Sequence, residues 1–103
     1  MFDRYLSLIS ELQKLNGKWF FCLLVALLLY ERINFNQLRK LVRPITPKVL
    51  SKYLKQMENI GLIARNILIE KPLRVEYYLT EKGEVLARTL AKIFDIAIMP
   101  RKR

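Results

Sequence analysis

Histidine is absent from this chain of 103 residues, and cysteine occurs once, at Cys22. These two shortages exclude whole classes of chemistry. Cys/His zinc sites need several such ligands, a histidine-activated nucleophile needs its base, and an intramolecular disulfide needs a second thiol. One cysteine also fits a reducing compartment, and the expected location is cytoplasmic. Glycine is scarce, with three residues in all, and none forms a phosphate-cradling loop. The longest apolar run, Trp19 to Tyr30, has twelve residues, against about 20 for a membrane-spanning helix. It is internal and lacks a small-residue cleavage site, so it is not read as a signal peptide. A helix buried on nearly all sides is the expectation, with Cys22 as a small core residue within it. Glu58, Glu70 and Glu76 have no nucleophile, base or metal ligand beside them and are read as solvated or ion-paired. No enzyme, metal, cofactor or membrane association is expected.

Acidic residues are the other shortage: 9 Asp+Glu against 19 Lys+Arg, for a formal charge of +10. The excess is uneven. Between Arg32 and Arg74, ten basic residues face only Glu58 and Glu70. A basic excess gathered in one part of a small chain points to a polyanion, nucleic acid before a membrane surface. With 52% apolar residues the chain is not disordered, and its length suits one domain spanning residues 1–103.

The most informative stretch runs from Pro44 to Leu62. Thr46 is a good N-cap, Pro47 falls at the first helical position, and Gly61 follows where a left-handed residue is wanted. Between these signals, Leu50, Leu54 and Met57 share one stripe, while Lys48, Ser51, Lys52 and Lys55 share a roughly opposite one. A helix with an apolar back and a front of lysines and a hydroxyl suits the major groove of DNA. Taken alone, it also suits an ordinary surface helix with solvated lysines.

Helical spacing of Phe2, Tyr5, Leu6, Ile9, Leu12 and Leu15 predicts a first helix over 2–15, broken by Asn16-Gly17. A second covers 18–29. Ile33-Asn34-Phe35 reads as an extended connector, and Asn36 as the cap of a third helix ending near Val42, before Arg43-Pro44. The helix from Pro47 follows so closely that the pair makes a helix-turn-helix. Two β-rich runs, from Ile63 and from Arg74 to Leu79, joined through Lys71-Pro72-Leu73, predict a hairpin over 63–79. Thr80 caps a last helix over 81–98, with Glu81 and Glu84 at its positive end. Residues 99–103 form a loose basic tail. The fold class is therefore mainly α with a small β-hairpin wing, a helical core over 18–62 and terminal helices on either side.

Several spaced motifs together resemble the HxlR family, which is related to the MarR regulators. They are Gly17-Lys18-Trp19, Ile33 to Leu38, Ile45 to Leu50, Leu54 to Ile63, Val75-Glu76-Tyr77 and Leu79 to Gly83, running in order over Gly17 to Ala97. The resemblance implies a homodimeric winged helix-turn-helix transcription regulator, bound to a palindromic site through recognition helix 47–60 and wing 63–79. It also implies that the terminal helices, 2–15 and 81–98, form the dimer interface. Oxidant-sensing members carry a cysteine before the Gly-Lys-Trp element, and this chain has none there. Tyr30-Glu31-Arg32 stands where a glycine-containing turn is often seen.

On that reading, Lys48, Ser51, Lys52 and Lys55 reach base edges or phosphates, a choice left open by sequence. Thr46 and Pro47 lie at the helix entrance, near the backbone. Arg39, Lys40 and Arg43 are phosphate clamps, and Lys71 and Arg74 sit at the wing, where an arginine can enter a narrow minor groove. Phe2, Tyr5 and Ile9 with Leu90, Ile93 and Ile96 form an apolar patch suited to a dimer, the alternative being that both helices fold back on one core. Two other functions fit the same features: a low-specificity architectural DNA-binding protein, or a winged-helix protein-interaction module. No effector ligand is legible.

Overall fold

The computed structural model describes residues 1–13, 18–69 and 73–98. Leu15 and the Asn16-Gly17 break, Glu70, Lys71 and Pro72 of the hairpin joint, and the 99–103 tail lie outside the described residues, as do the side chains of Ile9, Leu12 and Ile96. Among the described residues, five helices and three strands follow in chain order: α1 (Phe2–Gln13), α2 (Lys18–Leu29), β1 (Ile33–Asn34), α3 (Phe35–Leu41), α4 (Pro47–Asn59), β2 (Ile63–Leu68), β3 (Arg74–Leu79) and α5 (Glu81–Ile98). The fold is mostly helical with a small antiparallel sheet ordered β1-β3-β2.

The core forms where apolar stripes of several elements meet. Leu23, Leu24 and Leu27 of α2 pack with Leu38 of α3, with Leu50, Leu54 and Met57 of α4, with Ile63 of β2 and with Ala87 of α5. The stripe predicted for α4 is therefore its buried side. Thr46 caps that helix as expected: its Oγ1 accepts from the Val49 amide at 3.2 Å, and Pro47 follows at the first position. At the other end Gly61 adopts φ +82°, a left-handed conformation natural to glycine.

The hairpin pairs Ile63 with Leu79 at its base and Leu68 with Arg74 towards its tip. The expected connector is in fact a third strand, β1, with Ile33 opposite Tyr77 and Asn34 opposite Glu76. The cap of α3 also differs from the expectation. It is Asn34, not Asn36: Asn34 Oδ1 accepts from the Gln37 amide at 2.8 Å, while Gln37 Oε1 accepts from the Asn34 amide at 3.0 Å. Gln37 stands three residues after Asn34, so this reciprocal box wins over a cap at Asn36.

Helix α2 corrects a third expectation. It is not buried on nearly all sides, because Phe21, Cys22 and Leu29 are exposed, Leu29 by 70%. Cys22 is therefore a free, exposed thiol and not a core residue. The reason is geometric: a helix apolar all round still turns only part of its surface to a core of this size, and Leu23, Leu24 and Leu27 take that part. Helix α1 is exposed at each described side chain.

Candidate nucleic-acid interface

The front of α4 and the wing strands share one cleft. Lys48, Ser51, Lys52 and Lys55 are all exposed and line a cavity of about 390 Å³ with Glu58, Arg65 and Tyr77. The arrangement follows from helical geometry, since spacings of three and four residues put these side chains on one face, opposite the buried leucines. Thr46 and Pro47 stand exposed at the N-terminal end of the same helix.

Two residues that sequence reasoning did not select complete this cleft. Arg65 Nε donates to Glu58 Oε2 at 3.1 Å, linking β2 to α4. Tyr77 faces Arg65 across the ladder, and burial raises its hydroxyl pKa; Arg65 opposes that shift and Glu58 adds to it. Arg65 shares a period-two row with Ile63 and Ile67, and that single charge in an apolar row was the available signal. Glu58 was read as solvated or ion-paired, and the structure pairs it.

The other expected cations spread outward. Lys40 is exposed on α3, Arg39 is half-buried there, and Arg74 is exposed at the first position of β3. Arg43 goes elsewhere: it borders a groove of about 650 Å³ on the open face of α2, with Trp19, Phe21, Cys22, Leu29 and Leu41. The lysine cleft does not include it. Of the residues expected at a dimer interface, Phe2, Tyr5 and Ile93 are 67%, 54% and 52% exposed. Leu90 instead packs half-buried against the core.

A tie between α4 and α5 fixes the pose of the basic face. Thr80 Oγ1 donates to the carbonyls of Gly61 and Leu62, at 2.6 and 3.1 Å, and accepts from the Gly83 amide at 3.1 Å. Lys82 Nζ donates to the Ile60 carbonyl at 3.2 Å, at the negative end of α4. Among the described residues no His/Cys/Asp/Glu group has metal-site geometry, and no helix is long and apolar enough to cross a membrane.

Residues 14–101 match the family model described as HxlR-like helix-turn-helix. An uncharacterised helix-turn-helix-type transcriptional regulator of Bacillus subtilis, YvaP, is 36% identical over 73 residues, 67% of this chain and 68% of that protein. Another from Methanothermobacter thermautotrophicus is 35% identical over 83 residues, 80% of this chain and 63% of that protein. The chain thus spans about two thirds of the length of the curated relatives it matches. Among solved structures, a protein of Enterococcus faecalis V583 described as a MarR-family regulator superposes with a TM-score of 0.77 at 32% identity, over 90% of this chain and 84% of that one.

Proposed function

The chain belongs to the HxlR-like helix-turn-helix family of transcriptional regulators, and from that premise we propose that it is a homodimeric, sequence-specific repressor that occludes a palindromic operator. It acts as a single winged helix-turn-helix domain in the cytoplasm. Helix α4 is the recognition helix, and the β2–β3 hairpin is the wing. The observation that carries this reading is the exposed row Lys48, Ser51, Lys52 and Lys55, set opposite the buried Leu50, Leu54 and Met57 on one capped helix beside a hairpin. The lysines neutralise phosphates or meet guanine acceptors in the major groove. Thr46 and Pro47 bring the helix entrance to the backbone, where free first-turn amides favour phosphate. Arg39, Lys40 and Arg43 are assigned to flanking phosphates, Arg43 from the border of the α2 groove. Lys71 and Arg74 carry the wing's share of contacts.

The test is a titration against a duplex carrying the palindrome selected from random sequence and against its scrambled version, both at ~150 mM salt. A specificity ratio of about 10³ or more, with two protomers per site, is expected. Tight binding with a ratio near one would establish the architectural protein that the charge of +10 also suits. No binding would turn the assignment to a protein partner. Lys52→Ala with Lys55→Ala should weaken operator binding on the order of tenfold or more, flatten the salt slope by about 1.8 and leave folding intact. Unchanged binding would move the DNA face off α4.

A further inference from the structure

Glu58 continues the lysine stripe of α4. It follows Lys55 by three positions and Ser51 by seven, so it lies on the same face further along. By charge alone, a carboxylate at that place opposes a polyanion. Its effect on folding does not account for it, because the Glu58–Arg65 pair is about half exposed, its side chains 35% and 48% accessible, and such surface pairs contribute little to stability. What the carboxylate does is hold an arginine. Arg65 reaches it through Nε at 3.1 Å, one of five N–H donors on a planar guanidinium whose terminal nitrogens form a rigid fork. The pair spans the angle between α4 and β2, at the wall of the cleft that Lys48, Lys52 and Lys55 line. Tyr77 stands opposite Arg65 in the ladder and backs the same wall.

Resting on the reading of this face as the DNA face, we propose that Arg65 is a specificity-determining residue that reads a guanine through its terminal nitrogens. Glu58 is its positioning residue. The lysines of the stripe are mobile point charges on long stems, which suit any phosphate within reach. An arginine pinned at Nε presents a fixed pair of donors, which suits the paired O6 and N7 acceptors of guanine.

The two effects of Glu58, holding Arg65 and repelling phosphate, have opposite signs, and that makes the assignment testable. Wild type, Glu58→Gln, Arg65→Ala, Arg65→Lys and the Glu58→Gln/Arg65→Ala double variant are titrated on the selected and scrambled duplexes, with Lys52→Ala as control. Arg65→Ala should weaken the selected duplex about tenfold, and repeating the selection with it should relax one base pair per half-site. Arg65→Lys should recover the affinity for the scrambled duplex but not the ratio. Glu58→Gln should lower selected-duplex affinity about threefold although it removes a negative charge, leave scrambled-duplex affinity equal or higher, and leave the melting temperature nearly unchanged. In the Arg65→Ala background the same change should raise affinity for both duplexes, because only repulsion is left to remove. If Glu58→Gln raises both affinities equally in the wild-type background, the positioning role is overturned. If Arg65→Ala leaves the ratio intact while Lys52→Ala weakens binding, the arginine assignment falls and the DNA face stands. If none of the variants alters binding, both fall.

Discussion

The hydroxyl of Thr80 serves two helices at once. As acceptor it holds the Gly83 amide and starts α5; as donor it holds the Gly61 and Leu62 carbonyls that close α4. Such a joint brings backbones close, and Gly83 is where they meet. A Cβ there would fall on the Leu62 carbonyl oxygen and 3.1 Å from Leu79 Cδ2. The first obstacle is backbone, which cannot swing aside as a side-chain end can. Gly83→Ala should therefore destabilise the fold by about 1–3 kcal/mol, the usual range for overpacking, read as a lower urea midpoint at unchanged slope. A midpoint equal to wild type would show that α5 is free to lift from α4. The sequence made Thr80 legible as a cap of α5 but not as a joint to α4, because the carbonyls it donates to are 18 and 19 residues away. Cys22 was missed for a related reason. An apolar run reveals which residues are apolar, not which of them face the core.

At the scale of elements, legibility followed how local the cause is. Helix α4 was readable at both ends because Thr46, Pro47 and Gly61 each act within a few residues. The hairpin was readable from its alternation and turn. Strand β1 was not, since two residues carry no period and their partner β3 lies some forty positions downstream. The Glu58–Arg65 pair was similarly hidden, each residue looking like one more surface charge until the fold set them 3.1 Å apart. The wing makes a separate prediction. Arg74 opens β3 towards the hairpin tip, and Arg74→Ala should lower operator affinity and reduce the slope of log affinity against log salt by about 0.9, one phosphate contact. A slope that stays where it was takes the wing off the DNA and leaves α4 as the element that binds.

The whole molecule has two surfaces of opposite character. One is basic, on α4 and the strands beside it; the other kind is apolar, with exposed side chains on α1, on the open face of α2 and on α5. Phe2 and Tyr5 on α1 and Ile93 on α5 leave large side chains uncovered, and the proposed dimer would bury them. In the proposed homodimer the partner is a second copy, and a two-fold axis through those helices would present two copies of α4 to half-sites about 34–36 Å apart. If the proposed interface includes α5, Ile93→Asp places a charge in it without touching the core, so it should leave helix content and melting nearly intact while shifting the protein to a monomer in sedimentation. The consequence for DNA is the sharper measure. A monomer engages one half-site, so its salt slope should drop to about half that of the wild type, and the avidity gained by linking two weak contacts, on the order of 10²-fold or more, should vanish. A variant that sediments as a dimer with an unchanged slope would locate the interface away from α5.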